Sequence, residues 1–368
     1  MTGQSGKAKR LRPPKLHWSL RESYRRLVES VAPILQITVG ATLAYLFGFY
    51  VLQHEIPLLA VTVTITSLGF TRDARPRRIL ETATGMVTGI ALSEVLLLTF
   101  GKGVWQLAIV LLVCLSVARF LSGSSGFALA AGIQSMLVFL VPPPSGGVFT
   151  RTADALVGGV IALLVTAIIP RDPRGLAKLD ASKLFTVFLD SLDSLKLALR
   201  DVDIKVADAA LVRVRRTQPL VDNWRLSLDS AIAISRISPF LRKYRDELQG
   251  QVRLLRGMDL ATRNLRVVVR RVDFLLRDGQ PRPYLADLME QIADASRLLM
   301  AGLEDPEVLD EAQEQFVEII HQLDPKRHGI ADQVREASVL LLLRPLLVDL
   351  LCASGMSEDS ARAELPEV

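Results

Sequence analysis

The chain has 368 residues, half of them hydrophobic, with 44 Lys and Arg against 39 Asp and Glu and 2 Cys. That length holds about two domains of ordinary size, and two cysteines, Cys114 and Cys352, give no disulfide framework. The net charge of +5 does not point to nucleic acid, because the basic residues gather at the ends of apolar runs, where membrane orientation accounts for them. The mean hydropathy of +0.31 averages two unlike halves: before Pro170 long runs are almost free of charge, and after it charged residues recur every few positions.

Residues 1–30 form a basic N-terminal segment, expected to be cytoplasmic and disordered to about residue 16. Residues 16–29 place Leu16, Leu20, Tyr24 and Leu27 at helical spacing with Arg21, Arg25 and Arg26 on other faces. That suits either a short helix in the headgroup region or a polar lead-in to the first span. No cleavable signal is expected, since the apolar run starts only at Val31 and is too long for one.

Six spans follow, at 31–52, 56–70, 80–100, 104–121, 127–141 and 152–169. Arg78 and Arg151, Glu81 and Asp154, and Gly85 and Gly158 all stand 73 residues apart, and the same shift carries Val31 onto Val104 without a gap. Each half then holds three spans, and an odd number forces the second half in with opposite orientation. The second and fifth spans fall short of the roughly 20 residues a bilayer asks for. Short segments at matching places in two repeats point to a transport site, or to a tilted partner in a thinned bilayer. Arg72, Arg75, Arg77, Arg78, Arg119, Arg171, Arg174 and Lys178 share the side of the basic N-terminus, against Lys102 and Arg151 on the other, so both termini are expected in the cytosol. The outward loop 142–147, PPPSGG, is expected to bend.

From Gly175 the pattern is helical. Leu254, Met258, Ala261, Leu265, Val268, Val272 and Leu275 form a heptad seam, expected to pack on a partner helix and to mediate self-association. Arg256, Arg263, Arg270 and Arg277 run beside it, and Glu307, Glu311, Glu314 and Glu318 form an acidic stripe that pairing with those arginines would explain. Prolines at 219, 239, 281, 283, 306 and 325 divide this half into five or six helices, and the apolar run 339–352, broken by Arg344, Pro345 and Asp349, reads as a buried bundle helix. The fold expected is all-α: a six-span transmembrane domain over 31–170 built as a 3+3 inverted repeat, followed by a cytosolic helical bundle over 171–368.

No catalytic constellation, metal-ligand spacing or phosphate loop stands out, so no enzyme, no cofactor and no self-contained ATP-driven pump is expected; His17, His54, His321 and His328 are scattered. The informative residues are ionisable groups inside apolar segments. Glu94, deepest of them, faces a wet cavity, finds a basic partner or stays protonated, each compatible with a proton-coupled step; the alternative is a residue at the outer interface beside Lys102. Arg78 with Glu81 and Arg151 with Asp154 can pair within a helix, as anchors or as substrate contacts. Arg119 either meets an anion or marks the cytoplasmic edge, and Gln36 and Gln134 can orient a solute or join helices.

The segments RRILETATGMVTGIALSEVLL and RTADALVGGVIALLVTAIIPRDP resemble the two repeated motifs of the fusaric acid resistance and aromatic acid exporter family, which has kinship with plant aluminium-activated malate transporters. The likeness covers about residues 31–173 and rests on Arg78, Glu81, Gly85, Arg151, Asp154, Gly158 and Pro170, with Ala162 where the first copy has Gly89. It implies a multi-pass transporter of the cell membrane that exports organic anions, above all aromatic carboxylates. Many relatives carry two such membrane blocks, which implies a homodimer here. A passive anion channel is a variant of that reading, and a non-transporting membrane scaffold for the cytosolic module is the alternative.

Overall fold

The computed structural model of the protein describes residues 20–70, 76–142, 146–147, 149–168, 173–239, 241–326 and 333–367. The basic segment before residue 20, Arg72 and Arg75, the loop tip Pro143 to Ser145, Pro170 with Arg171, and His328 lie outside the described residues. Among the described residues the chain is helical, without a strand.

The first group comprises α1 (Leu20–Leu46), α2 (Leu58–Leu68), α3 (Pro76–Phe100), α4 (Val104–Leu121), α5 (Ser125–Leu140) and α6 (Thr150–Ile168). Among the described residues α1 runs on without a break from Leu20 into the first span, and it passes Pro33 before ending in a π turn, Phe47–Val51. Proline opens α3, where its missing N–H is no loss. The Ser124 hydroxyl caps α5 by accepting from the Phe127 N–H. At about 1.5 Å per residue α2, with its 11 residues, is far shorter than the roughly 30 Å of a bilayer core; α5 is the other short apolar helix.

Several small residues sit at the helix contacts here, beside buried Met86 and Ile90, and many large ones lie outward. Ala60, Ala83, Ala131, Ala155 and Ala162 are buried, while Leu112, Leu129, Ile133, Leu156, Val160 and Leu164 lie on the surface. That inverts the pattern of a water-soluble bundle and suits helices that touch through small side chains and meet lipid with large ones. α1 packs on α2 as α4 packs on α5; α2 packs on α6 as α3 packs on α5; α1 lies against α6 as α4 lies against α3. Among the described residues five helices are long and apolar enough to cross a membrane, at Ser30–Val51, Pro76–Phe100, Val104–Leu121, Thr150–Ile168 and Val334–Ser354.

The second group is α7 (Pro173–Asp201), α8 (Ile204–Arg215), α9 (Gln218–Ile237), α10 (Arg245–Leu275), α11 (Pro283–Ala301), α12 (Val308–Ile320), α13 (Val334–Ser354) and the short α14 (Glu358–Ala363). These exceed the five or six helices that proline spacing suggests, because Asp203 caps α8 with no proline to announce it and Gly355 ends α13 before α14. One core, from Ala177 to Ala361, serves them all. α13 is the fifth apolar helix, yet Leu340, Leu343, Leu347 and Leu351 are fully enclosed in that core.

The seam on α10 is used up inside the chain. Its seven residues are at most 4% exposed within the common core, and beside them α13 is held by Asn264 Nδ2 donating to Asp349 Oδ2 at 2.6 Å and Arg271 Nε to Ser338 Oγ at 2.7 Å. This corrects the expectation of self-association through the seam: the partner helix arrives later in the same chain. The charge stripes are corrected too. Arg263 and Arg277 pair with Asp259 and Asp273 of α10 itself, while α12 packs on α11 and α13 with Glu307, Glu311, Glu314 and Glu318 exposed.

Candidate functional site

α1 passes directly from Leu46 into its π turn. After the π turn, Gln53 takes a positive φ of 57° and reverses the chain, while the His54 N–H donates to the Gly48 carbonyl at 3.0 Å. Gly48 is required by proximity: a Cβ there would lie 2.4 Å from Pro57 Cβ. This tight corner holds the His54 ring against α6. His54 Nδ1 and Asp154 Oδ1 share a hydrogen bond of 2.6 Å, with Asp154 buried at 4% exposure.

One turn earlier on α6, Arg151 is buried as well, at 7% exposure. Its guanidinium donates to the carbonyls of Val138 and Val141, each at 2.9 Å, and of Pro142. These carbonyls close α5, where no helical N–H remains to meet them, so Arg151 is the cap of the neighbouring helix. Lys102 Nζ reaches the Val141 carbonyl at 3.1 Å from the loop between α3 and α4. The connections after α1, α3 and α5 are thereby gathered at one end of the group.

Beside these groups lies a cavity of about 460 Å³, walled by Leu58, Leu59, Leu137, Val138 and Val141, with His54, Asp154, Arg151 and Thr150 on its polar side and Glu55 among the residues that line it. Glu94 stands behind the polar wall. Its Oε2 accepts from Thr152 Oγ1 at 2.6 Å, it is 8% exposed, and its charge acts on both Arg151 and Asp154.

Of the residues singled out in the sequence, Arg151, Asp154 and Glu94 come together here. The others do not. Arg78 and Glu81 sit in the opening turns of α3, at the opposite end; Glu81 accepts from Arg77 Nε at 3.0 Å, not from Arg78 as expected. Arg119 is exposed and donates to the Gly123 carbonyl at the end of its own helix. Gln36 is buried on α1. Gln134, buried in α5, donates to Met86 Sδ at 3.3 Å, and its Oε1 has no hydrogen-bond partner among the described residues. The expected Arg151 with Asp154 pair is replaced by two separate attachments: Arg151 takes the carbonyls that end α5, and Asp154 takes His54 from the loop after α1. His54 is the residue that spacing missed. Its one signal is position: an ionisable side chain in the short link between two apolar runs. Among the described residues no three His, Cys, Asp or Glu side chains converge as metal ligands.

Comparisons with known proteins reach this half and, in one case, nearly the whole chain. A family model described as fusaric acid resistance protein-like matches residues 41–165. An uncharacterized protein of Corynebacterium glutamicum is 30% identical over 358 residues, covering 95% of this chain and 92% of its own length. Proteins of Mycobacterium tuberculosis and Mycobacterium bovis, each named "putative arylamide transporter", are 28% identical over 155 residues, which is 40% of this chain and 44% of theirs.

Proposed function

The chain belongs to the fusaric acid resistance protein-like family of membrane transporters, and on that premise we propose that it carries small aromatic solutes across a membrane through the cavity between α2, α5 and α6. The cavity carries the reading. Its 460 Å³ falls in the range of small-molecule sites, about 300–1,000 Å³, and joins apolar walls to a few convergent polar groups, as such sites do.

A 3+3 inverted repeat underlies the path in this proposal. The matched packing of α1 on α2 with α4 on α5, and of α2 on α6 with α3 on α5, is what two copies related by a twofold axis in the membrane plane would give. The short α2 and α5 occupy equivalent places and both line the cavity. With the basic loops cytoplasmic, the cavity opens outward and both termini, with the helical unit from α7 onward, lie in the cytosol. A homodimer remains part of the proposal, through a surface other than the α10 seam.

Aromatic carboxylates are the substrates expected from the sequence, but the lining favours a neutral or cationic solute bearing an N–H donor. Asp154 and Glu55 line the cavity, while Arg151 spends donors on three backbone carbonyls. An aryl amide meets acceptors there; a carboxylate meets repulsion. The name carried by the mycobacterial relatives agrees with that preference. The carboxylate reading keeps one supporting feature, Arg151 itself, and needs His54 protonated. The test is flux of labelled acetanilide and labelled benzoate in liposomes holding the full chain. Acetanilide is expected to move faster than through empty liposomes and benzoate to lag; no flux of either supports the scaffold reading instead.

A further inference from the structure

Asp154 faces the cavity with a carboxylate already engaged. Its Oδ1 is held by His54 Nδ1 at 2.6 Å, and at 4% exposure it has little room for a second strong donor on that oxygen. His54 is less enclosed, with 17% of its side chain exposed against 5% for Asp154, so the imidazole is the more accessible partner of the two.

The charges around the pair come from three elements. Glu55 neighbours His54 on the same loop, and Glu94 stands behind Thr152. Arg151 on α6 has its guanidinium fixed on the carbonyls that end α5. Lys102 is turned to the Val141 carbonyl. α2 and α5 contain no titratable side chain. A buried carboxylate in such a place needs either a proton-bearing partner or another donor.

We propose that Asp154 binds either the protonated His54 or an N–H group of the solute, never both, so that each solute leaving the cavity is exchanged for one proton. The proposal rests on the transport reading and adds the coupling ion to it. With the cavity empty, a proton from the outer face binds His54 Nε2, and the imidazolium pairs with the Asp154 carboxylate through Nδ1–H. A solute N–H arriving at Asp154 displaces that Nδ1–H. The imidazolium, deprived of its counter-charge, releases the Nε2 proton on the side from which the solute came. The proton passes from hydronium to Nε2 and later from Nε2 to water, so one N–H bond forms and breaks against one O–H bond, and a neutral solute moves against one positive charge. Glu94, singled out in the sequence for a proton-coupled step, becomes a neighbour that biases the pair.

The experiment measures protons directly. Full-length protein in weakly buffered detergent, with a pH-sensitive dye, is titrated with 2-aminobenzamide, whose own fluorescence reports binding. The wild type is expected to release about one proton for each solute bound, as linkage between exclusive ligands requires. Asp154→Asn should lose both release and tight binding. His54→Gln keeps a side-chain donor for Asp154, so it should bind while releasing none; because it conserves the contact, it also serves if Asp154→Asn fails to fold. Glu94→Gln should still release. Release undiminished in His54→Gln overturns the proposal, and so does release abolished in Glu94→Gln alone. If the folded wild type binds no 2-aminobenzamide, the transport reading for aryl amides fails first and takes the exchange with it. Binding without proton release sinks the exchange and leaves the transport reading standing.

Discussion

Gly89 and Ala131 bring two helix backbones into contact: a Cβ built on Gly89 would lie 2.2 Å from the Ala131 carbonyl oxygen and 2.7 Å from its Cα. Gly158 meets Ala60 in the same manner, at 2.4 Å from the carbonyl oxygen. No side-chain rotation relieves a clash with backbone. Gly89→Ala and Gly158→Ala are each expected to push their helix pair apart and cost about 1–3 kcal/mol. Gly126→Ala, with only Ser124 Oγ at 3.6 Å, should change stability by less than about 1 kcal/mol. Thermal unfolding in detergent separates the three, and an undisturbed Gly89→Ala would contradict the close packing of α3 on α5.

Arg151 supports α5 as much as it colours the cavity. Lysine keeps the charge but cannot reach three carbonyls with a planar fork. Each charge-assisted hydrogen bond is worth about 1.5–3 kcal/mol, so Arg151→Lys should destabilise by roughly that much and expose the end of α5. Hydrogen exchange at residues 138–141 should quicken in the variant while the middle of α3 keeps its protection.

Leu265 sits at 0% exposure at the centre of the α10 seam. Leu265→Ala is expected to cost about 2–5 kcal/mol through the cavity it leaves, with no change in oligomeric state. Sedimentation of the variant should match the wild type. A monomer appearing only in the variant would return the seam to the role of an intermolecular contact.

Asp278 receives Arg282, which pulls its carboxyl down to about 2 from the ordinary 3.8. A depressed folded value means that the stabilisation is complete above 3.8 and disappears as the pH falls towards 2. Asp278→Asn should therefore melt below the wild type at neutral pH, with the gap closing through that acid window. A gap independent of pH would show that the asparagine acts through packing.

The topology is tested by impermeant thiol reagents on a chain with Cys352 replaced by Ser. Gly103→Cys, at the gathered end of the spans, should label from outside intact cells, and Ser182→Cys on α7 should not. Labelling of position 182 would invert the orientation and put the cavity on the cytosolic face.

The apolar runs announce the spans because their cause is local: a stretch without charge has few other places to go, and α4 begins and ends where the hydropathy does. The exchange of partners at the site was not legible for the opposite reason. Arg151 and Asp154 look like a pair at three residues' separation, but their real partners lie 9 to 13 residues away at and just past the end of α5 and 100 residues away at His54. Glu94 was conspicuous as a lone carboxylate in an apolar helix, while the Thr152 hydroxyl that receives it, 58 residues on, carries no signal of its own. On α10 the spacing showed a seam and could not say whose.

The marriage of α10 to α13 has a consequence for how the protein is made. Asn264 finds Asp349 only 85 residues further along the chain, so the apolar flank of α10 leaves the ribosome long before its cover exists. Loop closure over that distance, and the wait for it, leave a sticky surface open during synthesis. A message ending ahead of α13 would yield a polypeptide with finished membrane helices and an unsheathed flank, a natural client for chaperones and proteases.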